Sequence, residues 1–272
     1  PLPSDSSRPF GRLLFGLEPK NVQLRIMRVL FVWNNINIHG NGIRTSARNT
    51  VNHLREAGVD ARFLSGMNKD PHGPQPEFPL KRYHFPIFQP IVDANGFCYA
   101  KSDPKMVRKA VEWSDIVHLE EPFALQSDVI KVAEELGKPI VGTFHLYTNN
   151  ILGEIPMASW EWSNDLLMRI WVKSYMNHCA DIQCPTEAVR KLLAKYGVRA
   201  RLHVISNGVQ IDEHTIKAPA SKTDPYVILS TGRLVGIKDQ KTLIQAMKYS
   251  RHGREIQLYF AVDGLKNPKL QK

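Results

Sequence analysis

Met27-Arg28-Val29-Leu30-Phe31-Val32-Trp33 runs five apolar residues together after its arginine, and the stretch that follows, Asn34 to Gly42, is mostly polar and holds Gly40 and Gly42. An unbroken run of branched and aromatic side chains suits a strand buried on both faces, where no alternation with water-facing residues is needed. Ala47, Val51 and Leu54 then recur at helical spacing. Gly58 stands where a left-handed residue would end the helix, and Val59-Asp60-Ala61-Arg62-Phe63-Leu64 reads as a second strand. Strand, helix and strand in this order make a βαβ unit with a parallel pair.

Outward from this unit the alternation repeats. Helices are expected over Lys105–Trp113, Ser127–Leu136, Trp160–Cys179 and Thr186–Tyr196; strands over Ile116–Leu119, Pro139–Phe144, Asp181–Cys184 and Leu202–Ile205. Such alternation predicts an α/β fold with helices covering both faces of a parallel sheet, and ligands outside the carboxyl ends of the strands. Residues 65–104, rich in proline, glycine and aromatics, interrupt the pattern, with one short strand expected at Tyr83-His84-Phe85-Pro86. A polar break over Lys217–Pro225 precedes a second βαβ unit: Tyr226–Ser230, a helix over Asp239–Tyr249, and Ile256–Val262. The expected domains are an extension at 1–26, a first Rossmann-like domain at 27–217, and the start of a second at 218–272, which is too short to bury its own faces.

Hydrophobic residues at 43% and charged residues at 23% are ordinary for a globular protein and exclude disorder of the whole chain. No apolar run reaches the roughly 18 residues that would cross a bilayer. Asp5, Glu18 and several prolines occupy the place where a secretory leader would carry its apolar centre. Cys98, Cys179 and Cys184 are odd in number and match no zinc spacing, so structural thiols in a reducing, cytoplasmic setting are expected. No metal site is expected.

The net charge of +10 is unevenly spread. Residues 27–110 carry 12 basic and 6 acidic side chains, 111–215 carry 9 and 14, and 216–272 carry 11 and 4. Anionic ligands or an anionic surface fit the two basic ends. No basic run interleaved with aromatics occurs, so no nucleic-acid partner is expected. The loop Lys81-Arg82-Tyr83-His84-Phe85-Pro86-Ile87-Phe88 is a candidate for peripheral contact with an anionic membrane, alongside acceptor binding and plain packing.

Two motifs sit between a strand and a helix. In His39-Gly40-Asn41-Gly42-Ile43-Arg44-Thr45 the glycines allow close backbone approach, and the helix start offers unpaired amides to a phosphate. The spacing resembles a dinucleotide fingerprint, but Thr45 replaces its third glycine, which weakens an NAD reading; a turn with a helix cap fits as well. In Ser230-Thr231-Gly232-Arg233-Leu234-Val235-Gly236-Ile237-Lys238-Asp239-Gln240, a forked guanidinium and a compact ammonium lie five apart beside glycines. Such a pair can converge on one diphosphate. Asp239 is placed to cap the helix that follows.

This second motif, continued by Leu243-Ile244-Gln245-Ala246, resembles a signature of the retaining glycosyltransferases of family GT4. Other stretches agree with that family in order: Met27–Gly42, Ser114-Asp115-Ile116-Val117-His118, Gly142-Thr143-Phe144-His145, Ala180-Asp181-Ile182-Gln183-Cys184-Pro185-Thr186, and Val204-Ile205-Ser206-Asn207-Gly208-Val209. The resemblance covers about residues 27–265 and implies a GT-B fold of two Rossmann-like domains. It also implies hexosyl transfer, with retention, from a nucleoside-diphosphate sugar to an acceptor, with no cofactor. Arg233 and Lys238 would hold the donor diphosphate and stabilise the leaving group. Gly40, Gly42, Gly232 and Gly264 would approach the donor, and His145 would face the transferred sugar. Arg44, Glu120 and Glu121 are acceptor-side candidates, although the two glutamates read first as polar residues at a strand end. Val262-Asp263-Gly264 lacks the first glycine of the family's Gly-Asp-Gly, and the family's later pair of glutamates would lie past Lys272. Non-catalytic use of the fold and sugar-nucleotide epimerisation are the alternative functions.

Overall fold

The computed structural model describes residues 26–36, 42–68, 70, 72–86, 89, 98–152, 160–208, 225–232 and 238–261. The first βαβ unit forms as expected: β1 (Arg28–Val32), α1 (Gly42–Glu56) and β2 (Asp60–Gly66), with β1 and β2 parallel from Arg28 beside Asp60 to Val32 beside Leu64. The chain continues through β3 (Phe78–Leu80), α2 (Pro104–Trp113), β4 (Ile116–Leu119), α3 (Ala124–Glu135), β5 (Ile140–Thr143) and the short α4 (Asn149–Leu152). After these come α5 (Glu161–Ser174), β6 (Asp181–Cys184), α6 (Glu187–Lys195) and β7 (Arg201–Val204). One seven-stranded parallel sheet results, ordered β3-β2-β1-β4-β5-β6-β7.

The order reverses direction between β1 and β4. Chain connections leave these neighbours toward opposite sides of the sheet, which opens a crevice at their carboxyl ends. Leu30, Phe31, Val32, Val117, Leu119 and Ile182 fill the sheet's centre and are almost wholly excluded from water. A second sheet pairs β8 (Tyr226–Thr231) with β9 (Ile256–Ala261) in parallel, joined by α7 (Gln240–Tyr249). It leaves Val227 and Leu229 exposed.

Four expectations need correction. The short strand in the 65–104 segment is Phe78–Leu80, not Tyr83–Pro86; Phe78 and Leu80 are buried on β2, while Arg82 only bridges Ala100 in antiparallel fashion. The helix begun near Trp160 ends at Ser174, because Tyr175 leaves helical geometry and a 3-10 turn spans Met176–His178. Its hydroxyl donates to the Leu119 carbonyl at 2.9 Å, tying the break to the end of β4. The third helix begins three residues earlier than Ser127, at Ala124. Asp239 precedes α7 but is left-handed (φ 45°, ψ 43°), and its side chain makes no capping bond; its carbonyl instead accepts from Thr242 N at 3.0 Å. A cap that sequence spacing did not suggest is Asp103, whose carboxylate accepts from the Lys105 and Met106 amides ahead of a first-turn proline. The extension before residue 26 and the break at Lys217–Pro225, apart from its last residue, lie outside the described residues.

Candidate active site

The carboxyl ends of β1, β4 and β5 each place polar residues along one edge of the sheet. From β1 come Trp33 and Asn34; from β4, Glu120 and Glu121; from β5, Thr143 and His145. Successive residues of a strand point to opposite faces, so Glu120 and Glu121 serve different partners.

Glu121 faces β1. Its Oε1 accepts from Trp33 Nε1 at 2.6 Å, and its Oε2 accepts from Asn34 N at 3.1 Å and Asn34 Nδ2 at 2.8 Å. Burial disfavours its charge strongly; the Asn34 and Trp33 donors pull the other way, and the balance pushes the carboxyl up to about 7. Asn34 Oδ1 in turn accepts from Ala100 N at 3.0 Å, so one side chain joins β1, β4 and the loop before α2.

Glu120 faces β5. Its Oε2 lies 2.7 Å from His145 Nε2, and its Oε1 lies 3.6 Å from His118 Nε2. The side chains of Glu120 and His145 are 2% and 3% exposed. Burial alone would raise the Glu120 carboxyl, but neighbouring His118 and the hydrogen bond from His145 outweigh it and hold the group below its ordinary value. Glu120 is therefore an anion that can only accept, so His145 Nε2 is the donor in this bond. Burial, first, lowers His118 from its ordinary value while the Glu120 charge opposes; the ring stacks on Phe31 with 4.5 Å between ring centres and lies 2.8 Å from Thr143 Oγ1.

The structure thus brings together three of the residues singled out in the sequence: His145, Glu120 and Glu121. None of them is an open strand end, since both carboxylates are committed to internal partners. Gly42 is the first residue of α1, and a Cβ built there would meet nothing within 4 Å. Arg44 lies two residues further along the helix, half-buried, its guanidinium lowered by burial and then by Arg48. In the second unit Gly232 has φ 138°, a region that favours glycine, and the Lys238 stem would lie 3.9 Å from a Cβ at that position. Gly40, Arg233 and Gly264 lie outside the described residues. Sequence reasoning missed Asn34, His118 and Trp33. The available signal was position, since each falls at or next to the carboxyl end of one of the two strands that flank the reversal.

The family model described as Glycosyltransferase Family 4 matches residues 40–213, well over half of the chain. This chain belongs to Glycosyltransferase Family 4. A curated relative, the alpha-monoglucosyldiacylglycerol synthase of Streptococcus pneumoniae (strain ATCC BAA-255 / R6), is 24% identical over 211 residues, 77% of this chain and 46% of the relative. Among solved structures, the lipopolysaccharide outer core galactosyltransferase WaaB in its apo form superposes with a TM-score of 0.56 at 17% identity, covering 90% of this chain and 63% of its own. An alpha-glucosyltransferase in complex with UDP and a 13-mer DNA superposes with a TM-score of 0.51 at 12% identity, covering 90% and 59%. These likenesses show the GT-B fold. The family 4 chain spans about half the length of its curated relative and about 60% of the two structures. Among the described residues, no helix is long and apolar enough to cross a membrane.

Proposed function

We propose that the protein carrying this chain transfers a hexosyl unit, with retention, from a nucleoside-diphosphate sugar to an acceptor hydroxyl. In this reading residues 27–217 form the acceptor-side domain and 218–272 begin the donor domain. The observation that supports it is the buried Glu120–His145 pair at the carboxyl edge of the sheet, beside the β1–β4 reversal. A carboxylate that fixes one imidazole nitrogen holds the other in a defined position, suited to a sugar hydroxyl held in one orientation.

The chemistry is a substitution at the anomeric carbon. The bond from that carbon to the diphosphate oxygen breaks, the acceptor oxygen forms the new bond on the same face, and the acceptor proton passes to the departing diphosphate. Arg233 and Lys238 would neutralise the charge that grows there, and the amides near Gly40 and Gly42 would add to it. His145 would hold the sugar and Glu120 would hold His145, and neither moves a proton in this scheme. The name of the streptococcal relative, a synthase of an alpha-monoglucosyl lipid, supports a lipid alcohol as acceptor and a membrane-peripheral place of work.

The test is transfer from labelled UDP-, GDP- and ADP-glucose to diacylglycerol in mixed micelles, by the protein carrying this chain. The expected result is an alpha-glucosyl product with one nucleotide, lost on His145→Ala. Epimerised sugar nucleotide formed without acceptor, or transfer unchanged in His145→Ala, overturns the reading.

A further inference from the structure

A pocket of about 690 Å³ opens at the other end of the same rim, outside the carboxyl ends of β2 and β3 and against the start of α2. That volume is typical of a small-molecule site. Its lining joins Lys81, Lys101 and Lys105 to the apolar Met67, Leu80 and Pro104. The three lysines share this lining because of local pairing. Arg82 and Ala100 bridge in antiparallel fashion, and Lys101 N donates to the Lys81 carbonyl at 2.7 Å, so Lys81 and Lys101 are cross-strand neighbours. Lys105 enters from the first turn of α2.

Like charges set directly opposite each other on paired strands repel. Among the described residues none of these three ammonium groups has an ion-pair partner. Asp103 is the one carboxylate in the lining, and its Oδ1 is engaged by the amides of Lys105 and Met106. Three cations against one committed anion leave a net charge of about +2 over an apolar floor. An anion bound there would offset this charge.

The geometry points to a binding site, formed by Lys81, Lys101 and Lys105, for a phosphate group attached to an apolar body. Phosphate suits compact, mobile ammonium donors. Met67, Leu80 and Pro104 give the rest of the ligand an apolar surface. The site lies about 15–20 Å along the rim from His145, at about 4.8 Å per strand over the three to four strand spacings that separate them. The phosphate comes either from a lipid headgroup in a bilayer or from a soluble phosphate ester. This inference goes beyond the transfer reading, and it is tested by binding without turnover, so either can fail alone.

The experiment measures the protein's binding to phosphatidylcholine vesicles with and without phosphatidylglycerol, and to soluble glycerol 3-phosphate. Three proteins are compared: the parent, Lys81→Gln/Lys101→Gln/Lys105→Gln, and a control of equal net charge, Lys109→Gln/Lys131→Gln/Lys195→Gln. The control positions are exposed and outside the pocket. The parent and the control should bind alike, and the pocket variant should bind roughly ten- to a hundredfold more weakly, as expected for three partly solvated ion pairs. Thermal melting confirms that each variant is folded. Binding to phosphatidylglycerol vesicles alone assigns the phosphate to a lipid; binding of glycerol 3-phosphate as well assigns it to soluble esters. If the parent binds neither probe, or the two triple variants weaken equally, the inference is overturned.

Discussion

Glu120 Oε2 and His145 Nε2 lie 2.7 Å apart with both side chains almost wholly buried, joining the ends of β4 and β5 through one charge-assisted hydrogen bond. A buried carboxylate of this kind is stable only while its donor is present. Its partner is thereby held in one orientation.

His145→Ala should therefore destabilise the protein as well as abolish transfer. Removing the donor strands an anion in the core, at a cost of about 3 kcal/mol. Glu120→Gln removes the charge but keeps a polar group of the same shape, so its cost should be smaller. In the double variant the two losses should not add, because they report one interaction. Urea unfolding of the three variants checks this; strict additivity would mean that the pair is not coupled.

Glu121 predicts a pH dependence opposite in sign to that of most carboxylates. Its folded pKa, about 7, stands above its ordinary value of 4.5, so between those two values the folded state holds a proton that the unfolded state has lost. The associated stability is complete below the unfolded value and is lost as pH rises through the folded one, by up to roughly 3 kcal/mol over that window. Glu120, which is lowered, acts the other way: its contribution is present above its ordinary value and falls away in acid. Denaturant midpoints measured between about pH 5 and pH 8 should fall for the parent and stay nearly level for Glu121→Gln, whatever that variant's own baseline. A parent midpoint that rises across this range would contradict the assignment.

A Cβ at Gly142 would stand 2.8 Å from the Tyr175 hydroxyl and 3.2 Å from Cys179 Sγ. That hydroxyl is held by the Leu119 carbonyl, so it cannot simply swing away. Gly142→Ala should cost about 1–3 kcal/mol through overpacking. Tyr175→Phe removes the obstructing oxygen, and the Gly142→Ala/Tyr175→Phe double variant should be more stable than the sum of the two single costs predicts. Thermal or urea unfolding of this cycle is the measurement.

The difference between what was legible in the sequence and what was not follows from range. Val29 to Trp33, Ile116 to Leu119 and Asp181 to Cys184 announce themselves by local pattern, and left-handed Gly58, Gly137 and Gly197 mark helix ends as their positions suggest. His145 was found through a motif, and the parallel sheet then placed it beside Glu120, 25 positions away in the chain. The tie between Asn34 and Glu121, 87 positions apart, depends on which strands become neighbours at the reversal, and no local spacing encodes that. The pocket lysines were hidden for a similar reason. Lys81 and Lys101 belong to a proline-rich segment with no period, and they meet only through an antiparallel bridge. Asp239 misled because its residue type suits a cap while its left-handed backbone points the carboxylate elsewhere.

The last prediction concerns the donor. Lys238 follows Gly232 closely in space, its stem 3.9 Å from where a Cβ would be, and Gly232 adopts a φ of 138° that a side chain would strain. If Lys238 and Arg233 hold a diphosphate together, then Lys238→Ala/Arg233→Ala should abolish the thermal shift given by the productive sugar nucleotide. Gly232→Ala should weaken that shift by moving the backbone, while the parent charge remains. Two lost charge-assisted contacts correspond to a fall in affinity of roughly a hundredfold or more. Salt separates a specific site from general attraction: the parent's shift should persist at moderate ionic strength, where exposed, distant charges are screened. A double variant that still shows the full shift would remove these two cations from the donor site and leave the transfer proposal without its leaving-group stabiliser.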